Sequence, residues 1–183
     1  GAGENTTAAR NTFIGLYAGK DNTTGSCNVL IGNYAGKDMC TTENSVAIGH
    51  NALKGGTTAS SNTGRSNIAI GSYAGFCMSS GECNTLIGKL AGSRLSTGGH
   101  NIALGLSMHC GTVTGDSNIT IGEYTGQCLT SGASNILIGE CTARCGTITG
   151  DHNLAIGCRA LCHLSSGDGN VVLGTFAGKC ITD

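Results

Sequence analysis

Charge is scarce in this chain: Asp, Glu, Lys and Arg make up 11% of its 183 residues, against about 25% in an ordinary globular domain. A disordered chain stays in water by its charge, so this scarcity excludes that class. Aromatic residues reach only 4%, with no tryptophan, which excludes a thick core. The ten Lys and Arg are scattered and net charge is −1, so no phosphate-binding surface forms and nucleic acid is excluded as a partner. No apolar run approaches the ~20 residues that cross a bilayer, and no segment reads as a signal peptide. Proline is absent, while glycine numbers 32. Such a composition suits a fold whose backbone ladders consume the polar groups. The chain begins at Gly1 without a methionine, which reads as a fragment or a processed product.

What is present is a repeat. Glycines that follow Ile or Leu stand at Gly15, Gly32, Gly49, Gly71, Gly88, Gly105, Gly122, Gly139, Gly157 and Gly174, in steps of 17, 17, 22, 17, 17, 17, 17, 18 and 17. The unit approximates N-V-L-I-G-x-Y-A-G-x-x-x-T-T-G-x-x. Its first position holds Asn11, Asn28, Asn67, Asn84, Asn101, Asn118, Asn135, Asn153 and Asn170, with Ser45 the exception. The second position is apolar or Thr, and the fourth is always Ile or Leu. These two share one face of a strand. The mixed third position (Phe13, Ala47, Thr120) falls on the other face.

Glycine, threonine and asparagine are too frequent for helices, and no i, i+3, i+4, i+7 stripe exists. A repeat of this length with one short apolar strand predicts an all-β fold: a parallel β-solenoid of ten ~17-residue coils, one strand-rich face per coil. Coils about 4.8 Å apart would build a rod of roughly 45–50 Å. Residues 1–10 form a lead-in, 11–183 a single solenoid domain, and 54–65 an insertion loop. Stacked asparagines would form an amide ladder; the alternative is that Asn merely favours turns. Alanines three residues past the anchor glycine (Ala18, Ala35, Ala52, Ala74, Ala91, Ala160 and Ala177) suggest a tight corner or a close neighbouring chain.

Eleven cysteines are present. Cys110, Cys128, Cys145, Cys162 and Cys180 lie five or six residues past their anchors, nearly one column over five coils. Three readings stand. The thiols fill a tight interior as small apolar groups, bridge coils or chains as disulfides, or bind metal beside His109 and His163. The spacing matches no zinc pattern, so no metal site is assigned. No catalytic constellation and no cofactor motif is legible, so the expectation is a non-enzyme. "GDSN", "GDHN" and "GDGN" read as turns rather than calcium loops. Asn5, Asn22 and Asn118 stand in glycosylation sequons, but a glycan on ladder residue Asn118 would be incompatible with this fold.

The stretch "NTFIGLYAGKDNTTGSCNVLIGNYAGKDMCTTENSVAIGHNAL" (11–53) resembles the repeat arrays of tail-fibre-like proteins of marine phages, cyanophages in particular, and of some bacterial surface proteins. "NSVAIGHNA" is also similar to the head repeats of trimeric autotransporter adhesins, whose coils are shorter. The likeness extends through the repeat over about the whole chain. It implies a trimeric shaft, often followed by a chaperone or receptor-binding tip, which is not legible here. The expected function is a structural or attachment segment of an extracellular or virion fibre. Expected partners are further copies of the chain, as a trimeric bundle or an end-to-end assembly, and a host surface glycan or protein, with residues 54–65 the best single contact candidate. The alternatives are a head-to-tail extracellular filament and an ice- or mineral-binding face built on corner hydroxyls such as Thr23-Thr24 and Thr57-Thr58.

Overall fold

The computed structural model describes residues 1–56, 62–109 and 112–182. Ten three-residue strands follow one another: β1 (Thr12–Ile14), β2 (Val29–Ile31), β3 (Val46–Ile48), β4 (Ile68–Ile70), β5 (Thr85–Ile87), β6 (Ile102–Leu104), β7 (Ile119–Ile121), β8 (Ile136–Ile138), β9 (Leu154–Ile156) and β10 (Val171–Leu173). They pair in chain order as one parallel sheet, wound into a β-solenoid of about nine turns. Equivalent residues face each other throughout: Thr12 opposite Val29, Leu86 opposite Ala103, Val172 opposite Ala155. The 22-residue step still leaves Val46 opposite Ile68, so the register of the sheet is kept across it.

Each strand ends at its anchor glycine for a steric reason. All ten anchors have φ between 121° and 148°, a region that side-chain-bearing residues avoid. On Gly139 a Cβ would also lie 2.7 Å from the carbonyl oxygen of Gly157, one coil on. Three further positions per coil are left-handed, for example Ser66, Tyr73 and Gly75. The chain therefore turns sharply after three extended residues instead of continuing as a longer strand.

The two faces of the strand are occupied contrary to the ordinary meaning of an Ile/Val row. The third position is the inward one: Leu30, Ala47, Ala69, Leu86, Ala103 and Leu137 are fully buried. The second and fourth positions point outward, with Ile68, Ile87 and Ile136 on interior coils still 38%, 40% and 37% exposed. Parity gives the reason. The buried asparagine at position one shares its face with position three, and a 17-residue coil encloses too little volume for a second bulky row.

Inside, large and small residues alternate between two places. Where the strand centre is Leu30 or Leu86, the residue four past the anchor is glycine: a Cβ on Gly36 would stand 2.7 Å from Leu30, and one on Gly92 2.7 Å from Leu86; beside Leu137 that place holds the small, buried Ala143. Where the centre is Ala47, Ala103 or Ala155, that place holds Leu53, His109 or Leu161, all buried. The recurring alanines, Ala18 to Ala160, are also wholly buried in their own coil, so they mark a tight corner rather than a neighbouring chain.

Candidate interaction surface and inter-coil ladders

The asparagines stack from coil to coil. Asn84 Oδ1 accepts the backbone N–H of Asn101 at 2.8 Å; Asn101 Oδ1 accepts the backbone N–H of Asn118 at 2.9 Å and its Nδ2–H at 3.1 Å. Each Nδ2 also donates forward to a corner carbonyl: Asn84 to Gly98, Asn101 to Gly115, Asn118 to Gly132, at 2.9–3.0 Å. Asn135, Asn153 and Asn170 continue the chain, and at the other end Asn11 Oδ1 accepts from Asn28 N–H at 2.9 Å while Asn11 Nδ2 reaches Gly25. Ser45 interrupts the row without opening it: its Oγ accepts from Asn67 N–H at 3.2 Å and donates to Glu43.

Ser45 precedes the insertion, and a residue that the repeat pattern does not single out stands there. Asn62 is buried. Its Nδ2 donates to the Asp38 carbonyl at 2.8 Å, and its Oδ1 accepts from Gly56 N–H at 3.1 Å. The stems of the insertion therefore stay pinned to the coil. Residues 57–61 of the 54–65 loop, Thr57 and Thr58 among them, and Cys110 of the cysteine column lie outside the described residues.

The ten described cysteines are free thiols. Cys128 is half-buried, Cys145 and Cys180 are exposed, and Cys162 is buried, so the column runs along a surface corner. Cys145 and Cys162 place their sulfurs 3.4 Å apart. Among the described residues no three His, Cys, Asp or Glu side chains converge on a metal-sized site.

The same corner carries charge and rings. At one end Lys20 pairs with Glu4, Lys37 with Asp21 and Asp38, and Lys54 with Asp38; the hydrogen bond that Lys37 donates to the Asp38 carboxylate holds its ammonium above its ordinary value despite its partial burial. Tyr17 and Tyr34 lie ring to ring at 5.2 Å, and His50 bridges on to Tyr73. The corner hydroxyls are engaged within the stack: Thr23 donates to Cys40 O, Ser79 to Ser96 O and Thr130 to Ile148 O, at 3.0–3.1 Å.

The outward sheet face differs from all of these. Eighteen of its twenty residues are Val, Ile or Leu, the others being Thr12 and Thr85, and none is charged. No helix among the described residues is long and apolar enough to cross a membrane. No family model, no curated protein and no solved structure matches the chain.

Proposed function

We propose that the chain is a non-enzymatic structural segment of an extracellular or virion attachment fibre, in which copies bundle through their outward sheet faces. The exposed apolar face carries this reading. It runs about 43 Å along nine strand spacings. At roughly one-third exposure its twenty side chains present on the order of 1,000 Å² per chain, above the 300–600 Å² of the largest patch on an ordinary monomer and near the ~800 Å² that each partner of a stable complex contributes. The face has no charge to repel a second copy, and the repeat's likeness to fibre arrays favours three chains around one axis. The corners remain outside such a bundle, free for a host glycan or protein.

Light scattering on the reduced protein tests this. The expected mass is three times 18.2 kDa. Ile87→Lys with Ile121→Lys, on interior coils, gives single chains with an unchanged circular dichroism spectrum. A wild-type mass of one chain at micromolar concentration defeats the proposal.

A further inference from the structure

At the far end of the corner that carries the lysine–aspartate pairs, the charge pattern changes. Asp21 and Asp38 stand six residues past their anchors; in the last three coils that place holds Cys145, His163 and Cys180. The cations persist: Arg144, Arg159 and Lys179 have no carboxylate within ion-pair distance among the described residues. They rim a cleft of about 260 Å³ that Cys141, Cys145 and Cys162 also line. Arg159 and Lys179 lie over the Phe176 ring, at 5.7 and 5.9 Å, and Arg144 hydrogen-bonds Gln127 and the Cys141 sulfur.

We infer that Cys145 and Cys162 form a reversible dithiol–disulfide site whose reaction partner is a small disulfide bearing carboxylates. The two thiols belong to successive coils, with sulfurs 3.4 Å apart and Cys145 N–H donating to Cys162 O at 2.7 Å. This backbone contact holds the coils at a separation within the Cα range of a disulfide. Their exposures divide the roles. Cys145 is exposed and meets the incoming molecule; Cys162 is buried, and burial together with the neighbouring sulfur pushes its thiol up. The cationic rim draws an anionic disulfide into the cleft. Cys145, as thiolate, attacks one sulfur of R–S–S–R and the first R–S⁻ leaves. The Cys162 thiol then loses its proton and attacks Cys145 Sγ, expelling the second R–S⁻. Two protein thiols are oxidised and one external disulfide is reduced; the two protons lost by the protein thiols go to the two expelled R–S⁻, giving two R–SH. The bridge staples the eighth coil to the ninth. None of this depends on how chains bundle.

The test treats the reduced full chain with oxidised glutathione, blocks remaining thiols with iodoacetamide and maps the peptides. A Cys145–Cys162 link is expected as the main product. Cys162→Ser should retain glutathione on Cys145, and Cys145→Ser should leave Cys162 unmodified over the same interval. An uncharged disulfide, bis(2-hydroxyethyl) disulfide, should react several-fold more slowly relative to its rate with a free thiol in solution. Arg144→Gln with Arg159→Gln should erase that preference. Recovery of Cys145 and Cys162 as free thiols while exposed Cys27 and Cys83 carry glutathione overturns the proposal, as does a dominant link to Cys141. Equal relative rates for the two disulfides overturn the anionic partner.

Discussion

Replacing Asn101 by alanine separates a working amide ladder from a mere preference of asparagine for turns. Asn101 is fully buried. Its side chain holds Asn118 N–H at 2.9 Å and the Gly115 carbonyl at 3.0 Å. Truncation strands both backbone groups, whereas Asn118 Nδ2 keeps its bond to Gly132. A buried unsatisfied group costs about 1–3 kcal/mol, so two cost about 4 kcal/mol. Asn170→Ala is the control: its side chain is half-buried and donates to Asn153, so its loss should cost about 1 kcal/mol. Urea unfolding followed by circular dichroism gives the totals. A solenoid can unravel from one end, so hydrogen exchange at the Asn118 amide supplies the local measure and should accelerate in Asn101→Ala. The aspartate variant adds a sign. A buried carboxylate in this place has its pKa raised above the unfolded value, so the penalty of Asn101→Asp is largest at high pH and shrinks as pH falls through the folded value. If Asn101→Ala stays within about 1 kcal/mol of wild type, with Asn118 exchange unchanged, the ladder does not hold the coils together.

Two further outcomes follow from the interior. Burial pushes the His109 imidazole down to about 4, so the unfolded chain takes up its proton first as pH falls. Stability should be full above pH 6.5 and lost between 6.5 and 4, by about 3 kcal/mol at 1.36 kcal/mol per pH unit; urea midpoints at several pH values should show that much less pH dependence in His109→Asn. Gly139→Ala meets the Gly157 carbonyl in a backbone region reserved for glycine, and should lower stability by at least about 3 kcal/mol. Gly56→Ala, whose Cβ would meet only Asn62 Oδ1 at 3.7 Å, should stay within about 0.5 kcal/mol of wild type; urea unfolding of both glycine variants gives the comparison.

The seventeen-residue spacing of the anchor glycines was enough to read the solenoid, because equal steps bring equal residues into register. The side of the strand that faces inward was harder to read. Rows of Ile and Val ordinarily mark a core, but in so thin a coil volume decides, and the clue was the shared parity of asparagine and the smaller third residue. The exchange of Leu53, His109 and Leu161 for glycine opposite Ala47, Ala103 and Ala155 is visible in the repeat once that face is known. Asn62 carried no signal, since it lies in the 22-residue step, where the pattern is broken most. The Cys145–Cys162 approach was blurred because their offsets from the anchors differ by one residue, and the winding, not the count, aligns them.

The exchange of bulk between the strand centre and the fourth residue beyond the anchor bears on how such a chain can change over generations. A turn that balances its own contents leaves no misfit when it is copied or deleted whole, so unequal crossing-over between near-identical stretches of gene can lengthen or shorten the molecule in increments of about 4.8 Å. The fourth turn resists this editing. Ala69 and Gly75 leave a gap that Leu53 from the turn before and Leu86 from the turn after reach into, so removing either neighbour would leave it hollow.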